Sequence, residues 1–116
     1  MKNTSVVDTT SKYIVKSTGI GSETDEVLVN AETELTGGTN KSTVSLIECF
    51  YLIEGTGTLK ISTDSENDDL ELTGKGKYGL RPGQLKFGND KIFKLTTDSN
   101  ITSYLLVTEF RRETNG

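Results

Sequence analysis

The chain contains no histidine and one cysteine, Cys49, so the side chains that could do chemistry are chiefly carboxylates and hydroxyls. Without imidazole there is no Ser–His–Asp or Cys–His nucleophilic arrangement, and the commonest metal ligand is missing. A single cysteine forms no intramolecular disulfide and no cysteine-based zinc site. Cys49 lies among apolar residues and is predicted to be a buried, inert thiol.

Two glutamates, Glu48 and Glu54, are the candidates for a carboxylate pair of the kind used in glycoside hydrolysis. The chain has no tryptophan for a sugar-binding platform, so we expect both to be solvated or salt-bridged. The acidic loop at residues 64–69 resembles a calcium-binding loop. An EF-hand loop needs Gly at its sixth position and Glu at its twelfth, and this chain has Asp69 and Lys75 there. The loop is predicted to be a solvated turn or a looser structural calcium site, and no cofactor is predicted.

The stretch at residues 74–79 is glycine-rich and basic but lacks the spacing of a P-loop. Lysines and Arg81 continue beyond it, interleaved with aromatic residues, a pattern that can bind phosphates or single-stranded nucleic acid. The formal net charge of −4 argues against a nucleic-acid partner. The other interpretation is that these cations cover an acidic neighbour or protect an edge strand.

The composition indicates β-structure, with 18 Thr, 10 Ser, 12 Gly and one Pro. Good helix formers are scarce, since Ala and Met occur once each. The predicted strands are residues 12–17, 26–30, 43–54, 58–63, 69–72, 85–87, 91–97 and 101–111. They predict an all-β fold, an antiparallel β-sandwich or jelly-roll barrel of about eight short strands.

The two longest predicted strands are apolar on both faces. In residues 43–54, strict alternation places one set on one face: Val44, Leu46, Glu48, Phe50 and Leu52. The other face then carries Ser45, Ile47, Cys49, Tyr51 and Ile53. In residues 101–111, Leu105 and Val107 oppose Tyr104, Leu106 and Phe110. Both are predicted to be central strands covered on each side, or bent between two packed surfaces.

Residues 55–57 and 98–100 each separate two predicted strands and are predicted to be hairpin turns. We predict a single β domain over residues 1–116, with a polar, unfastened N-terminal arm at 1–11 and a short C-terminal tail at 111–116. No apolar signal-peptide region is found at the N-terminus, and the longest apolar run, residues 49–53, is too short to span a bilayer. We therefore expect no membrane partner and a reducing cytoplasm as the place of assembly.

Charge is unevenly distributed along the chain. Residues 1–71 carry 5 Lys and 13 Asp or Glu, a net −8, whereas residues 72–116 carry 8 Lys or Arg and 4 acids, a net +4. This asymmetry could steer head-to-tail packing between copies. The alternative is that the two sets of charges meet within one sandwich.

Two short motifs resemble those of the cupin family. Glu48 followed after six residues by Gly55 is similar to the end of the first cupin motif, and Gly76 followed after five residues by Pro82 is similar to the start of the second. Cupins are double-stranded β-helices that usually hold a metal through histidines, which this chain lacks. The resemblance therefore implies a jelly-roll barrel without metal chemistry.

Three further segments, residues 9–16 (TTSKYIVK), 21–25 (GSETD) and 101–106 (ITSYLL), resemble in style small virion structural proteins of tailed phages, particularly those infecting marine cyanobacteria. This resemblance implies a many-copy β protein of the virion, such as a capsid decoration or a head–tail part, assembled in the host cytoplasm.

The leading hypothesis is a non-enzymatic virion component that binds capsid or other virion proteins, as a homo-oligomer or in many copies. The predicted interface residues are Lys2, Val6, Val7, Tyr13, Lys75, Lys77, Arg81, Arg111 and Arg112. The two C-terminal arginines are expected to bridge carboxylates of a neighbour or to be solvated. The alternative is a metal-free, cupin-like module that binds a small ligand in a cavity lined by Tyr51, Phe50 or Tyr104.

Overall fold

A computed structural model of the protein describes residues 1–63, 70–79 and 90–114. Nine strands lie in these ranges: β1 (Lys2–Asp8), β2 (Lys12–Gly19), β3 (Glu26–Asn30), β4 (Ser42–Gly55), β5 (Leu59–Thr63), β6 (Leu70–Leu72), β7 (Lys75–Tyr78), β8 (Ile92–Thr97) and β9 (Ile101–Thr114). They form a five-stranded sheet in the order β1-β2-β9-β4-β7 and a four-stranded sheet in the order β3-β8-β5-β6. Within these ranges, no helix is long and apolar enough to cross a membrane.

The strand order is that of a jelly roll. The antiparallel pairs β2·β9 and β4·β7 of one sheet continue along the chain into the pairs β3·β8 and β5·β6 of the other. The chain therefore winds as a two-stranded antiparallel ribbon that passes back and forth between two facing sheets. The predicted all-β sandwich or jelly roll is confirmed, and β1 is an additional edge strand.

Apolar side chains between the two sheets form the core. In β2 the buried residues Tyr13 and Val15 alternate with the exposed Lys12 and Lys16, as the pleat of a strand requires. The rings of Phe93 and Phe110 pack edge to face with centroids 5.0 Å apart. This contact joins the middle of one sheet to the middle of the other, since β8 and β9 are both interior strands.

A β-bulge in β4 determines which of its side chains face the core. The pairing of β4 with β9 shifts between Leu46 and Glu48, so Ile47 is an extra residue. Leu46 is buried before the bulge, and Cys49 and Ile53 are buried after it. The strict alternation predicted for this strand is wrong beyond the bulge, because one inserted residue exchanges its two faces.

Both turns predicted to be hairpins instead carry the chain between the sheets. Residues 55–57 join β4 to β5 and residues 98–100 join β8 to β9, in each case strands of different sheets. The two turns bind one another, because the Thr58 amide donates to the Asp98 carboxylate at 2.8 Å. Gly55 has a φ of 102° and packs so closely on the other turn that a side chain would not fit.

The polar N-terminal segment is a strand rather than an unfastened arm. β1 pairs with β2 along its length. The Asn3 side-chain amide donates to the carbonyl oxygens of Val27 at 3.1 Å and Leu28 at 3.4 Å, and its oxygen accepts from the Ser17 hydroxyl at 2.6 Å. These bonds close the seam between β1 and β3, the neighbouring edges of the two sheets. Polar residues are suited to this position because they satisfy backbone groups there.

The glycine-rich, basic stretch at residues 74–79 contains strand β7, which forms because its backbone pairs with residues 49–52 of β4. The predicted C-terminal tail is also in part a strand, since β9 extends to Thr114. The predicted strand at 85–87, the acidic loop at 64–69, Pro82 and Arg81 lie outside the described residues.

The acidic and basic parts of the chain meet inside the fold. Among the described residues, three ion pairs join an acid from residues 1–71 to a base from residues 72–116: Lys77–Glu48 at 3.4 Å, Lys91–Glu32 at 3.8 Å and Arg112–Asp8 at 2.9 Å. The two sets of charges therefore meet within one domain, as the second interpretation predicted.

Arg112 holds one end of the sandwich together. Its guanidinium donates to the Asp8 carboxylate at 2.9 Å and to the carbonyl oxygens of Thr9 and Thr36 at 2.5 and 2.6 Å. Asp8 also accepts hydrogen bonds from the Thr36 amide and hydroxyl. The Arg112 side chain is only 7% exposed, so its predicted contact with a neighbour's carboxylates is wrong: the carboxylate it binds is in its own chain.

Replacing Arg112 with Met is expected to lower the free energy of unfolding by about 3 kcal/mol, because Asp8 would keep a largely buried charge without its partner. Urea denaturation measures the loss. The matched control is Arg111→Met in the same strand, where the side chain is exposed and the loss should stay below about 1 kcal/mol. Equal losses in the two variants would contradict the assigned role of Arg112.

Thr108 carries a buried hydroxyl with no hydrogen-bond partner among the described residues. Thr108→Val keeps the shape of the side chain and removes the unsatisfied group, so it is expected to raise stability by about 1 kcal/mol. Thr97→Val is the control, because the Thr97 hydroxyl donates to the Ile20 carbonyl and accepts from the Glu23 amide. Thermal unfolding should show a higher Tm for the first variant and a lower one for the second; the same direction in both would be inconsistent with this assignment.

Candidate functional site

The outer face of the five-stranded sheet carries apolar side chains at its centre. Phe50 and Leu52 of β4 lie opposite Val107 and Leu105 of β9 in the strand register. These four residues, here named the apolar patch, line a shallow groove of about 200 Å³ together with Tyr51, which lies between Phe50 and Leu52 along β4. Phe50 is 52% exposed and Leu52 is 42% exposed, so the patch faces solvent. The prediction that both faces of these strands are covered by other parts of the fold is therefore not met within the described residues.

Charged residues surround the apolar patch in an ordered way. Lysines flank it across the strands: Lys16 of β2 is opposite Val107, and Lys77 and Lys75 of β7 are opposite Phe50 and Leu52. Glutamates lie beyond it along the strands, with Glu54 at one end and the Glu48–Glu109 cross-strand pair at the other. We call these two sets the lysine flanks and the glutamate ends.

Lys77 connects the flank to the patch and to one glutamate. Its ammonium lies 5.1 Å from the centre of the Phe50 ring, a cation–π contact. The same ammonium is 3.4 Å from the Glu48 carboxylate. Side chains this exposed hold each other weakly, at about 0.2–1 kcal/mol per ion pair, so they remain available to a partner.

Several of the predicted interface residues lie on this face or at its edge. Lys75 and Lys77 are exposed. Lys2 lies in the edge strand β1, at the same level across the sheet as Leu105. Val6, at the bulge of β1, is 58% exposed. Val7 next to it is half-buried.

Two predicted interface residues belong to the interior, and one lies at another position on the sheet. Tyr13 is 5% exposed and packs in the hydrophobic core, so a partner does not reach it. Arg112 is bound to Asp8 as described. Arg111 is exposed in β9 opposite Lys12 and Ser45, beyond the glutamate end.

The candidate carboxylate pair is not assembled. Glu48 and Glu54 lie six positions apart along one strand, about 20 Å at the usual rise of a strand, whereas cooperating glycosidase carboxylates lie about 5–9.5 Å apart. Glu48 is in addition bound to Lys77. Among residues 1–63, 70–79 and 90–114, no cluster of three or more His, Cys, Asp or Glu could hold a metal ion.

A polar cluster lies at the end of the sandwich opposite to Arg112. Glu23 lies in the connection between β2 and β3. Its carboxylate accepts a hydrogen bond from the Tyr104 hydroxyl and forms an ion pair with the Met1 ammonium, each at 2.5 Å. Burial, together with this hydrogen bond, raises the pKa of Tyr104 far above its usual value, so the phenol stays a donor. The cluster fastens the N-terminus to β9 and has a structural role.

The rings proposed to line an internal ligand cavity are divided between two faces. Phe50 is on the outer face, whereas Tyr104 is on the inner face and donates to Glu23. Tyr51 is also on the inner side, where its ring lies over Gly76 of the edge strand β7. These three residues therefore do not converge on one cavity.

The apolar patch is not among the sites predicted from the sequence. Its signal was present, because β4 and β9 are apolar on both faces, but that pattern was interpreted as coverage within the fold. The cupin-like alternative places Phe50 in an interior cavity, whereas the bulge at Ile47, which leaves no clear mark in the sequence, directs it to the outer face.

Comparisons with known proteins identify no family. No family model matches the chain, and no curated protein matches it. One solved structure, a crystal structure of a cupin domain from Bordetella pertussis Tohama I, is similar over 97% of this chain and 93% of that one, with 11% identity and a TM-score of 0.48. This likeness is too low to assign the chain to that family, and the jelly roll is identified by the strand order alone.

The Cys49 thiol is expected to be unreactive in the folded protein. Cys49 is 1% exposed, and burial raises its pKa to about 12, so almost no thiolate forms below about pH 11. Iodoacetamide labelling followed by mass spectrometry should modify Cys49 only after denaturation. In the control Leu52→Cys, an exposed thiol on the same strand should react within minutes at pH 8. Comparable native-state labelling of the two thiols would refute the burial of Cys49.

Proposed function

We propose that this protein is a non-enzymatic structural subunit that binds a neighbouring protein through the outer face of its five-stranded sheet. The observation that supports this is the contiguous apolar patch on the two central strands. A sheet face that meets only water usually carries polar side chains. Apolar anchors at the centre of a face with charges around them are typical of protein–protein interfaces.

The chemistry of the chain is consistent with a role in binding. It has no histidine, its one thiol is buried, and Glu48 and Glu54 are too far apart to act together. The side chains that do converge on one exposed surface are hydrocarbon, ammonium and carboxylate groups, which recognise a partner without making or breaking bonds.

The size of the patch indicates how strong one contact is. Burying the exposed halves of Phe50 and Leu52 contributes about 1 kcal/mol each, with a smaller share from Leu105 and Val107. A contact of this kind is weak when isolated. It becomes stable when many copies are held on one assembly, because linked weak contacts raise the effective concentration.

We further propose that this assembly is a tailed-phage particle, where the protein decorates the capsid or forms part of the head–tail region. The resemblance of residues 9–16, 21–25 and 101–106 to small virion proteins supports this assignment, and jelly rolls are a common fold of viral capsid proteins. The weak, repeatable contact expected of the apolar patch suits a many-copy component.

Phe50→Asp is expected to abolish binding to capsid shells, with at least about a hundredfold loss of affinity, because it replaces the central ring of the patch with a charge that must be desolvated. Co-sedimentation with purified tailed-cyanophage shells measures binding, and light scattering measures the mass of the protein alone. Ile20→Asp is the matched control, since Ile20 is 62% exposed but lies outside the sheet face.

The control variant should bind like the wild type. Full-strength binding by Phe50→Asp, or a wild-type protein that associates neither with shells nor with itself, would overturn the proposed function. A thermal melt of each variant confirms that it is folded.

A further inference from the structure

The outer face of the five-stranded sheet can be described as a grid. We consider the four columns β2, β9, β4 and β7, which lie beside the edge strand β1, and the rows are set by the strand register. Columns are about 4.8 Å apart and successive outward residues of one strand about 6.8 Å apart. The apolar patch fills the central two rows of the central two columns. The lysine flanks occupy three of the four outer positions of those same rows, and Thr18 occupies the fourth. The glutamate ends occupy three of the four central positions of the rows above and below, and Ser103 occupies the fourth.

This pattern is unsuited to packing two copies with their strands aligned. Two copies can pack face to face about a two-fold axis that lies between them. If this axis runs along the strands, Lys16 of one copy lies over Lys77 of the other, and Glu109 lies over Glu48. If the axis runs across the strands, Lys75 lies over Lys77. Like charges meet in both cases, which disfavours these arrangements.

Packing at right angles gives the opposite result. Orthogonal packing, in which strands of two sheets cross near 90°, is one of the two common ways in which sheets pack face to face. A two-fold axis along the diagonal from Phe50 to Leu105 exchanges rows with columns. The lysine flanks of one copy then lie over the glutamate ends of the other. With the row and column spacings given above, the paired positions are offset by about 3 Å in the plane of the sheets.

We propose that the partner of this face is a second copy of the chain, docked orthogonally about this diagonal axis. The contacts at the centre are Phe50 with Phe50, Leu105 with Leu105, and Leu52 with Val107. The charge contacts, each present twice, are Lys77 with Glu48, Lys75 with Glu109, and Lys16 with Glu54. This inference rests on the proposed function, since it names the neighbour that the apolar patch binds.

The state of these charges in the single chain supports the pairing. Among the described residues, Lys16, Lys75 and Glu54 have no ion-pair partner within 4 Å in their own chain. All three are exposed. The acids Glu48 and Glu109 face each other across β4 and β9, and each has one lysine in its own chain, Lys77 at 3.4 Å and Lys12 at 4.0 Å. Further cations would lower the repulsion between these two like charges. A second copy supplies two such cations, Lys75 and Lys77.

The extent of the grid sets the concentration at which the dimer should form. Four columns by four rows cover about 500 Å² of each copy, or about 1,000 Å² in total, near the lower limit for a specific interface. We therefore expect reversible dimers that dissociate in the micromolar range and weaken with added salt. Sedimentation equilibrium between 1 µM and 1 mM covers the transition.

A charge exchange between Lys16 and Glu54 tests the geometry. Lys16→Glu and Glu54→Lys each replace two attractive contacts by two repulsive ones, so each alone should weaken dimerisation about tenfold or more. The double variant Lys16→Glu/Glu54→Lys restores opposite charges across the axis and should return the dissociation constant to within about threefold of wild type. Lys41→Glu, the same change of net charge on an exposed loop residue, should leave it unchanged.

A double variant as weak as the combined single variants would overturn the orthogonal dimer. So would a wild-type protein that stays monomeric up to 1 mM. If that monomer still binds capsid shells and loses binding on Phe50→Asp, the proposed function stands and only the second copy as partner is excluded. If Phe50→Asp changes neither self-association nor shell binding, both proposals fail together.

Discussion

The antiparallel ladder between β4 and β9 is the feature on which the rest of the structure depends. It occupies the middle of the five-stranded sheet and runs from the start of β4 to its end. Backbone hydrogen bonds along it hold two long apolar strands in one register. One face of that pair supplies Leu106 and Phe110 to the core, and the other presents the apolar patch. The bulge at Ile47 makes both possible, because without it Phe50 would share the inner face with Leu46.

The features that could be predicted from the sequence are those that depend on local pattern. β-branched and apolar runs bounded by turn residues identify most of the strands, and their number and spacing predict a jelly roll. The bulge leaves no such pattern, so the assignment of faces in β4 fails beyond Ile47. Turn residues also do not distinguish a hairpin from a crossing between sheets, because residues 55–57 and 98–100 have the backbone freedom that either connection requires.

The candidate site was only partly predictable, for a related reason. Lys75 and Lys77 can be predicted as interface residues because the basic, glycine-rich stretch that contains them is recognisable in the sequence. Tyr13 and Arg112 were assigned to an interface although each is satisfied inside the chain, Tyr13 by core packing and Arg112 by Asp8. Such contacts join residues about a hundred positions apart, so only the three-dimensional fold brings them together. Polar segments near chain ends can therefore be structural when they close the edges of a sandwich.

The position of β9 has a consequence for biosynthesis. Of the five strands of its sheet it comes last along the chain, yet it lies between β2 and β4. On the ribosome, the five-stranded sheet therefore cannot close until β9 has left the exit tunnel. During that interval β2 and β4 each have an open edge whose amide and carbonyl groups can pair with another nascent chain. Closure of the sheet is slowed by the long loops that must form before β9 pairs, and a neighbouring nascent chain can compete with β9 for its position between β2 and β4.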